Sequence, residues 1–235
     1  MQFGTTRTSF IGLCCSFLFT VSSNSFANND FSNNWSLEKE DDGIKISSRE
    51  IAHSDFREFK AEVTLETSID AILAVFQDPD SFTRWVHQCS SAEIIQQDSF
   101  LDVYVYQVSD MPLLVSDRDV VIHDVYTYSD DYKQWSIDVQ AVEGMVAETD
   151  MVRVTKSQGT YNLYDMENGT VQIVWFQHAD PGGALPSWLV NSLIVDLPFN
   201  TLNNLRELVK EAQYATSKIG YDENGVPTHW AVKNF

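Results

Sequence analysis

Asp180-Pro181-Gly182-Gly183-Ala184-Leu185-Pro186-Ser187-Trp188-Leu189 marks the point where a strand ends, a Gly-rich turn reverses the chain and a helix begins. Pro186 stands where a helix takes its first residue, a position at which the missing N–H costs nothing. Beyond it Leu189, Leu193, Leu197, Leu205, Leu208 and Ala212 recur at mostly four-residue spacing. That period lays one apolar stripe along a helix of about eight turns. A terminal helix of this length, arriving after many strands, closes over a curved sheet.

The upstream strands announce themselves by alternation. Ile44-Lys45-Ile46-Ser47 and the run from Phe59 to Leu65 alternate apolar with polar, as half-buried strands do. Ser68 reads as the N-cap of a short helix carrying Ile69, Ile72, Leu73 and Phe76, which ends at Asp78-Pro79. A further helical turn holds Phe82, Trp85 and Val86. Strand patterns follow at 92–97, 100–109, 118–128, 134–142 and 150–165, then a hairpin turn at Glu167-Asn168-Gly169-Thr170 and a last strand from Val171 to Gln177. Residues 217–235 carry no clear period and read as a C-terminal tail, with Trp230 able to dock. The order predicts an α+β protein, a curved antiparallel sheet wrapped around one long helix, with its domain at 35–216. Val103 and Val105 oppose Tyr104, Tyr106 and Val108 across one strand, and Val171, Ile173 and Trp175 oppose Val174 and Phe176 across another. A sheet apolar on both faces needs a cover on both, or a cavity on one.

The first residues read as an export signal. Arg7 is the sole charge before an apolar run from Phe10 to Val21, and Ser25-Phe26-Ala27 offers small residues at a cleavage site. The run is short for a bilayer span, so a retained anchor is the weaker reading. The residues before Cys14 and Cys15 form no lipoprotein box. The expectation is a signal peptide at 1–27, a polar leader at 28–34 and a periplasmic or secreted protein. Cleavage removes one base and no acid, which moves the formal charge of the 235-residue chain from −19 to −20. Such a field repels nucleic acid and anionic lipid surfaces. Cleavage also leaves Cys89 alone, without an internal disulfide partner.

Over roughly residues 35–214 the sequence resembles the StAR-related lipid-transfer (START) domain family. The resemblance is carried by Trp35 with Asp42-Gly43-Ile44-Lys45 and Arg49, by Trp85, and by Met111-Pro112-Leu113-Leu114-Val115-Ser116-Asp117-Arg118-Asp119-Val120-Val121. It continues through Asp180-Pro181-Gly182-Gly183 to Pro186 and ends in Thr201-Leu202-Asn203-Asn204-Leu205-Arg206. It implies a helix-grip fold whose sheet and C-terminal helix enclose a tunnel for one hydrophobic molecule, usually a lipid or sterol. Sterol-binding relatives place a carboxylate and an arginine inside that tunnel. An ungapped count from Arg118 puts Val105 and Asp124 at those positions, which points to a lipid other than a sterol. Tyr161 stands where Trp is common in the family.

Several polar residues in apolar rows are candidates for the site. Arg118, between Asp117 and Asp119, is either a structural ion pair holding loop to strand or a group at the cavity mouth that meets an anionic headgroup through bidentate donors. Asp124 shares a strand face with Val120, Ile122, Tyr126 and Tyr128, so its carboxylate needs either a structural partner, of which Arg153 is one, or a ligand. The apolar run around Leu113 and Leu114 has no core of its own; packed against the helix near Trp188, it would form a lid.

The five histidines show no metal-ligand spacing, and His87 with Cys89 is too little for zinc. There is no Gly-x-Ser-x-Gly elbow and no phosphate-binding Gly-rich loop, so no cofactor is expected. Asn168-Gly169-Thr170 matches a glycosylation sequon that the hairpin already explains, and Met145, Met151 and Met166 read as core or cavity filler. The sequence therefore predicts a non-enzymatic monomer that binds and carries a lipid or other hydrophobic small molecule, touching membranes only transiently. The alternatives are an aromatase/cyclase-like enzyme in the same kind of cavity, and a periplasmic interaction module whose core is filled by its own aromatics.

Overall fold

Alternating side chains and tight turns build one large sheet, seen in a computed structural model that describes Met1 and residues 35–112, 115–129, 133–185 and 187–232. The export signal and polar leader lie outside the described residues, as do Leu113, Leu114 and Pro186. The elements run in the order β1 (Ser36–Asp41), β2 (Ile44–Arg49), β3 (Glu58–Leu65), α1 (Ile69–Phe76), α2 (Phe82–Trp85) and β4 (Cys89–Ser99). They continue with β5 (Asp102–Ser109), β6 (Arg118–Ser129), β7 (Gln134–Val142), β8 (Val152–Arg153), β9 (Lys156–Asp165) and β10 (Val171–Asp180). The chain then forms α3 (Ser187–Leu208), α4 (Ala212–Ala215), β11 (Ser217–Tyr221) and β12 (Pro227–Val232).

The main sheet has the order β1-β2-β3-β10-β9-β7-β6-β5-β4, antiparallel throughout, with β8 added in parallel beside β6. It is an open sheet, with β1 and β4 at its edges, curved over the C-terminal helix as the helix-grip fold requires. Asp42-Gly43 makes the first hairpin with φ of 47° and 72°, the positive values a two-residue turn needs. Arg206 near the end of α3 donates to the Asp42 carboxylate at 2.6 Å and to its carbonyl at 2.7 Å, tying the helix to that turn. Trp35 packs beside Phe176 and under the Arg49 guanidinium, which pairs with Glu58 at 2.5 Å. The N-terminal residues that carry the family resemblance are thus structural.

Three features differ from the sequence reading. The helix is 22 residues long, about six turns, and stops at Leu208. Ala212 belongs instead to the separate turn α4, where Tyr214 is 1 % exposed and its hydroxyl donates to Asp78 at 2.6 Å. The pattern at 150–165 is two strands, because β8 leaves the path to pair with β6 before β9 begins. Residues 217–232 are no tail: β11 and β12 form a hairpin that packs on α1, fixed by Lys218 with Asp70 at 2.9 Å and by Trp230 beside Tyr214. Ser68 does cap α1, accepting from the Ala71 N–H at 3.2 Å.

Candidate ligand cavity

The register of the strands assembles one continuous inner face. Val103 lies opposite Asp124 and Val105 opposite Ile122, while Asp124 and Ile122 lie opposite Val139 and Ala141 on β7. Val139 and Ile137 face Gly159 and Tyr161, which face Gln177 and Trp175, which face Phe59 and Ala61. Directly opposed residues share a face, so these side chains all look toward α3. Between them and the helix lies a cavity of about 240 Å³. Val190, Leu193, Ile194 and Leu197 roof it from the N-terminal half of α3, whereas Leu202, Leu205 and Leu208 of the other half are sealed in the core. Pro198 divides the two halves.

One wall is aromatic. Phe82, Trp85, Phe76, Tyr161, Trp175 and Phe59 follow one another with ring centroids 5.6, 4.7, 4.9, 4.6 and 4.8 Å apart. Tyr161 and Trp175 stack and three of the other contacts are edge-on, arrangements that hold a wall rigid. Val120, Ile122, Val139 and Ala141 also line the cavity. A polar strip crosses the floor: the Trp175 indole donates to Gln177 at 3.2 Å, and the Gln177 amide donates to Ser157 at 2.6 Å. Gly159 makes this possible, since a Cβ there would sit 2.5 Å from the Phe176 carbonyl oxygen and 2.2 Å from the Gln177 side chain.

The sequence-derived site residues separate. Arg118 reaches the cavity but forms no ion pair among the described residues. Its Nε donates to the Pro181 carbonyl at 3.3 Å, its Nη2 to the Gly182 carbonyl at 3.0 Å and its Nη1 to the Ser116 carbonyl at 2.5 Å. It thereby clamps the turn in which Gly182 and Gly183 both hold φ of 67°, a value that suits glycine. Arg153 is not the partner of Asp124. It lies on the outer face, where its Nε and Nη2 each donate to Asp119 at 2.8 Å; Tyr106 and Thr149 complete that carboxylate's bonds. Val105 points inward but is packed into the core beneath the cavity. Trp188 lies in the first turn of α3, and its side chain lies outside the described residues.

Asp124 does line the cavity. It is 6 % exposed, and among the described residues no hydrogen bond reaches its Oδ1. Burial pushes its carboxyl up to about 7. The Trp85 Nε1 and the Arg57 Nε are also buried, without partners among the described residues, and both residues line the same cavity. Among the described residues no cluster of His, Cys, Asp or Glu is arranged to hold a metal. The sequence reading missed the aromatic wall, Arg57 and Gly159. Gly159, Tyr161, Trp175 and Phe59 owe their places to cross-strand register, and Phe76, Phe82 and Trp85 to how α1 and α2 pack on the sheet, neither of which a local pattern encodes.

A START domain family model matches residues 28–214. The chain is 29 % identical over 192 residues to an uncharacterized protein of Pseudomonas aeruginosa, covering 79 % of this chain and 91 % of that one. The crystal structure of a STAR-related lipid transfer protein from Xanthomonas axonopodis superposes with a TM-score of 0.70 at 31 % identity, over 76 % of this chain and 100 % of that one. Human StAR-related lipid transfer protein 5 shares the fold, with a TM-score of 0.67 at 19 % identity over 75 % of this chain and 86 % of that one. By its matched length, its fold and its cavity, the chain belongs to the START domain family.

Proposed function

We propose that this protein binds one lipid, or a comparably apolar molecule, in the cavity beneath α3 and carries it without altering it chemically. The observation that carries the reading is the cavity itself: a space walled by a run of aromatic rings and roofed by Val190, Leu193, Ile194 and Leu197. The relative from Xanthomonas axonopodis, named as a lipid transfer protein, supports it. Affinity would come from removing apolar surface from water, at roughly 25 cal/mol per Å². A volume of about 240 Å³ is below the roughly 300–1,000 Å³ usual for ligand pockets, which favours a single-chain ligand over a diacyl one. Exchange then needs an opening, because an enclosed ligand cannot leave a rigid shell. Met111 lines the cavity, and the apolar run that it opens, together with the start of α3, is the proposed mouth. We further propose that the mature protein is exported and acts as a monomer.

Native mass spectrometry of gently purified protein tests the binding. A co-purifying mass of lipid size, released on unfolding, is the expected result. Protein that stays empty when offered mixed lipid extract would sink the proposal and favour an interaction module.

A further inference from the structure

We propose that Asp124 receives the ligand's polar end inside the cavity, and that this end is a hydrogen-bond donor: a hydroxyl, an amide N–H or an amine. The inference rests on the reading of the cavity as a lipid site. Its basis is a buried acceptor with nothing to accept from. Asp124 is 6 % exposed and lines the cavity, yet among the described residues its Oδ1 has no partner. Its neighbours across the sheet are Val103 and Val139, and along the strand Ile122 and Tyr126. An unpaired buried carboxyl costs free energy that a ligand donor would recover.

The same geometry disfavours an anionic headgroup at this end. Above about pH 7, where Asp124 is ionised, a carboxylate or phosphate would meet a like charge. Arg118, the nearest cation by strand, has each of its three nitrogens already donating to a carbonyl. Arg57 also lines the cavity, but its side chain is 37 % exposed and its Nη1 is held by Glu38 at 3.1 Å, so water and Glu38 already serve much of its charge. The desolvated group, Asp124, has the most to gain from a ligand. The unpaired Trp85 Nε1 adds a donor on the aromatic wall, which suits a polar end that also accepts, as a hydroxyl or amide does.

The test measures binding of hexadecanol, hexadecanamide, hexadecylamine and palmitate, which share one chain length, by displacement of a fluorescent fatty probe at about pH 8, where Asp124 is ionised. The native protein should prefer the three donors to palmitate by about tenfold or more. Asp124→Val should fold at least as stably and lose that preference. Equal affinity of the native protein for palmitate and the donors, with the ratio unmoved in Asp124→Val, would overturn the inference while leaving the lipid reading intact. Failure of all four to bind would overturn both. Should Asp124→Val not fold, Asp124→Asn decides: it keeps an acceptor but no charge, so hexadecylamine must weaken about tenfold relative to hexadecanol. An unchanged ratio there overturns the role of Asp124.

Discussion

Asp119 and Asp124 occupy one strand and meet opposite fates because β6 turns alternate residues to opposite faces. On the outer face Asp119 accepts four hydrogen bonds, two of them from Arg153. Those bonds, Arg153 first, hold its carboxyl below the usual range despite burial. Its contribution to stability is present at neutral pH and is lost as acid protonates it. Asp124 has the reverse sign. Its folded value near 7 lies above the ordinary carboxylate value, so its contribution is complete below about pH 4 and disappears as pH rises through 7. For the empty protein this is a loss of at most about 4 kcal/mol across that span. Urea unfolding of the lipid-free protein at about pH 5 and about pH 8 should show Asp124→Asn stabilised relative to native at the higher pH, with the gap closing at the lower. A gap of equal size at both would mean that Asp124 keeps its charge in the fold. Arg153→Ala is the complementary case. It strands a fully buried Asp119, and should cost about 3–5 kcal/mol at neutral pH; a loss below about 1 kcal/mol would show that water reaches the site.

At the scale of elements, α3 is two helices' worth of function joined at Pro198. Proline has no N–H, so the bond that residue 198 would make to the Ile194 carbonyl is missing. The break falls between Leu197, the last cavity-lining residue, and the core-anchored stretch that holds Thr201, Leu202 and Leu205 at 0 % exposure. A roof hinged at its fixed end can lift without unpacking the core. Pro198→Ala should therefore raise the melting temperature, by restoring a bond and removing a clash, and slow ligand exchange with vesicles severalfold. Exchange at the native rate in a stabilised variant would move the gate to the segment after Met111. The helix was legible in the sequence because apolar spacing reports which face is buried. That spacing continued past Leu208 to Ala212, across a break it does not register. The β11–β12 hairpin went unread for another reason. Its residues are mostly polar and exposed, and α1, far away in sequence, supplies the surface that holds it.

The whole molecule sets how the site is reached. Most strands of the sheet could be read ahead of the structure, since each carries its own alternation, but their order could not. The cavity wall could not, because Phe59, Tyr161 and Trp175 come together only through the pairings of β3 with β10 and of β10 with β9. The candidate at Asp124 was visible as a polar residue in an apolar row, but the absence of a partner is a property of the folded neighbourhood. Charge, by contrast, is fixed by composition and acts at long range. A formal −19 repels anionic membranes over about a Debye length, roughly 8 Å at physiological salt. If the ligand is taken from membranes, pick-up should be faster from zwitterionic phosphatidylcholine vesicles than from vesicles enriched in phosphatidylglycerol. Added salt should narrow the difference by screening, with little effect on the zwitterionic rate. Stopped-flow transfer of a fluorescent lipid measures both rates. A faster rate from the anionic vesicles would mean that local positive charge near the cavity, such as the part-exposed Arg57, overrides the net charge and guides the docking.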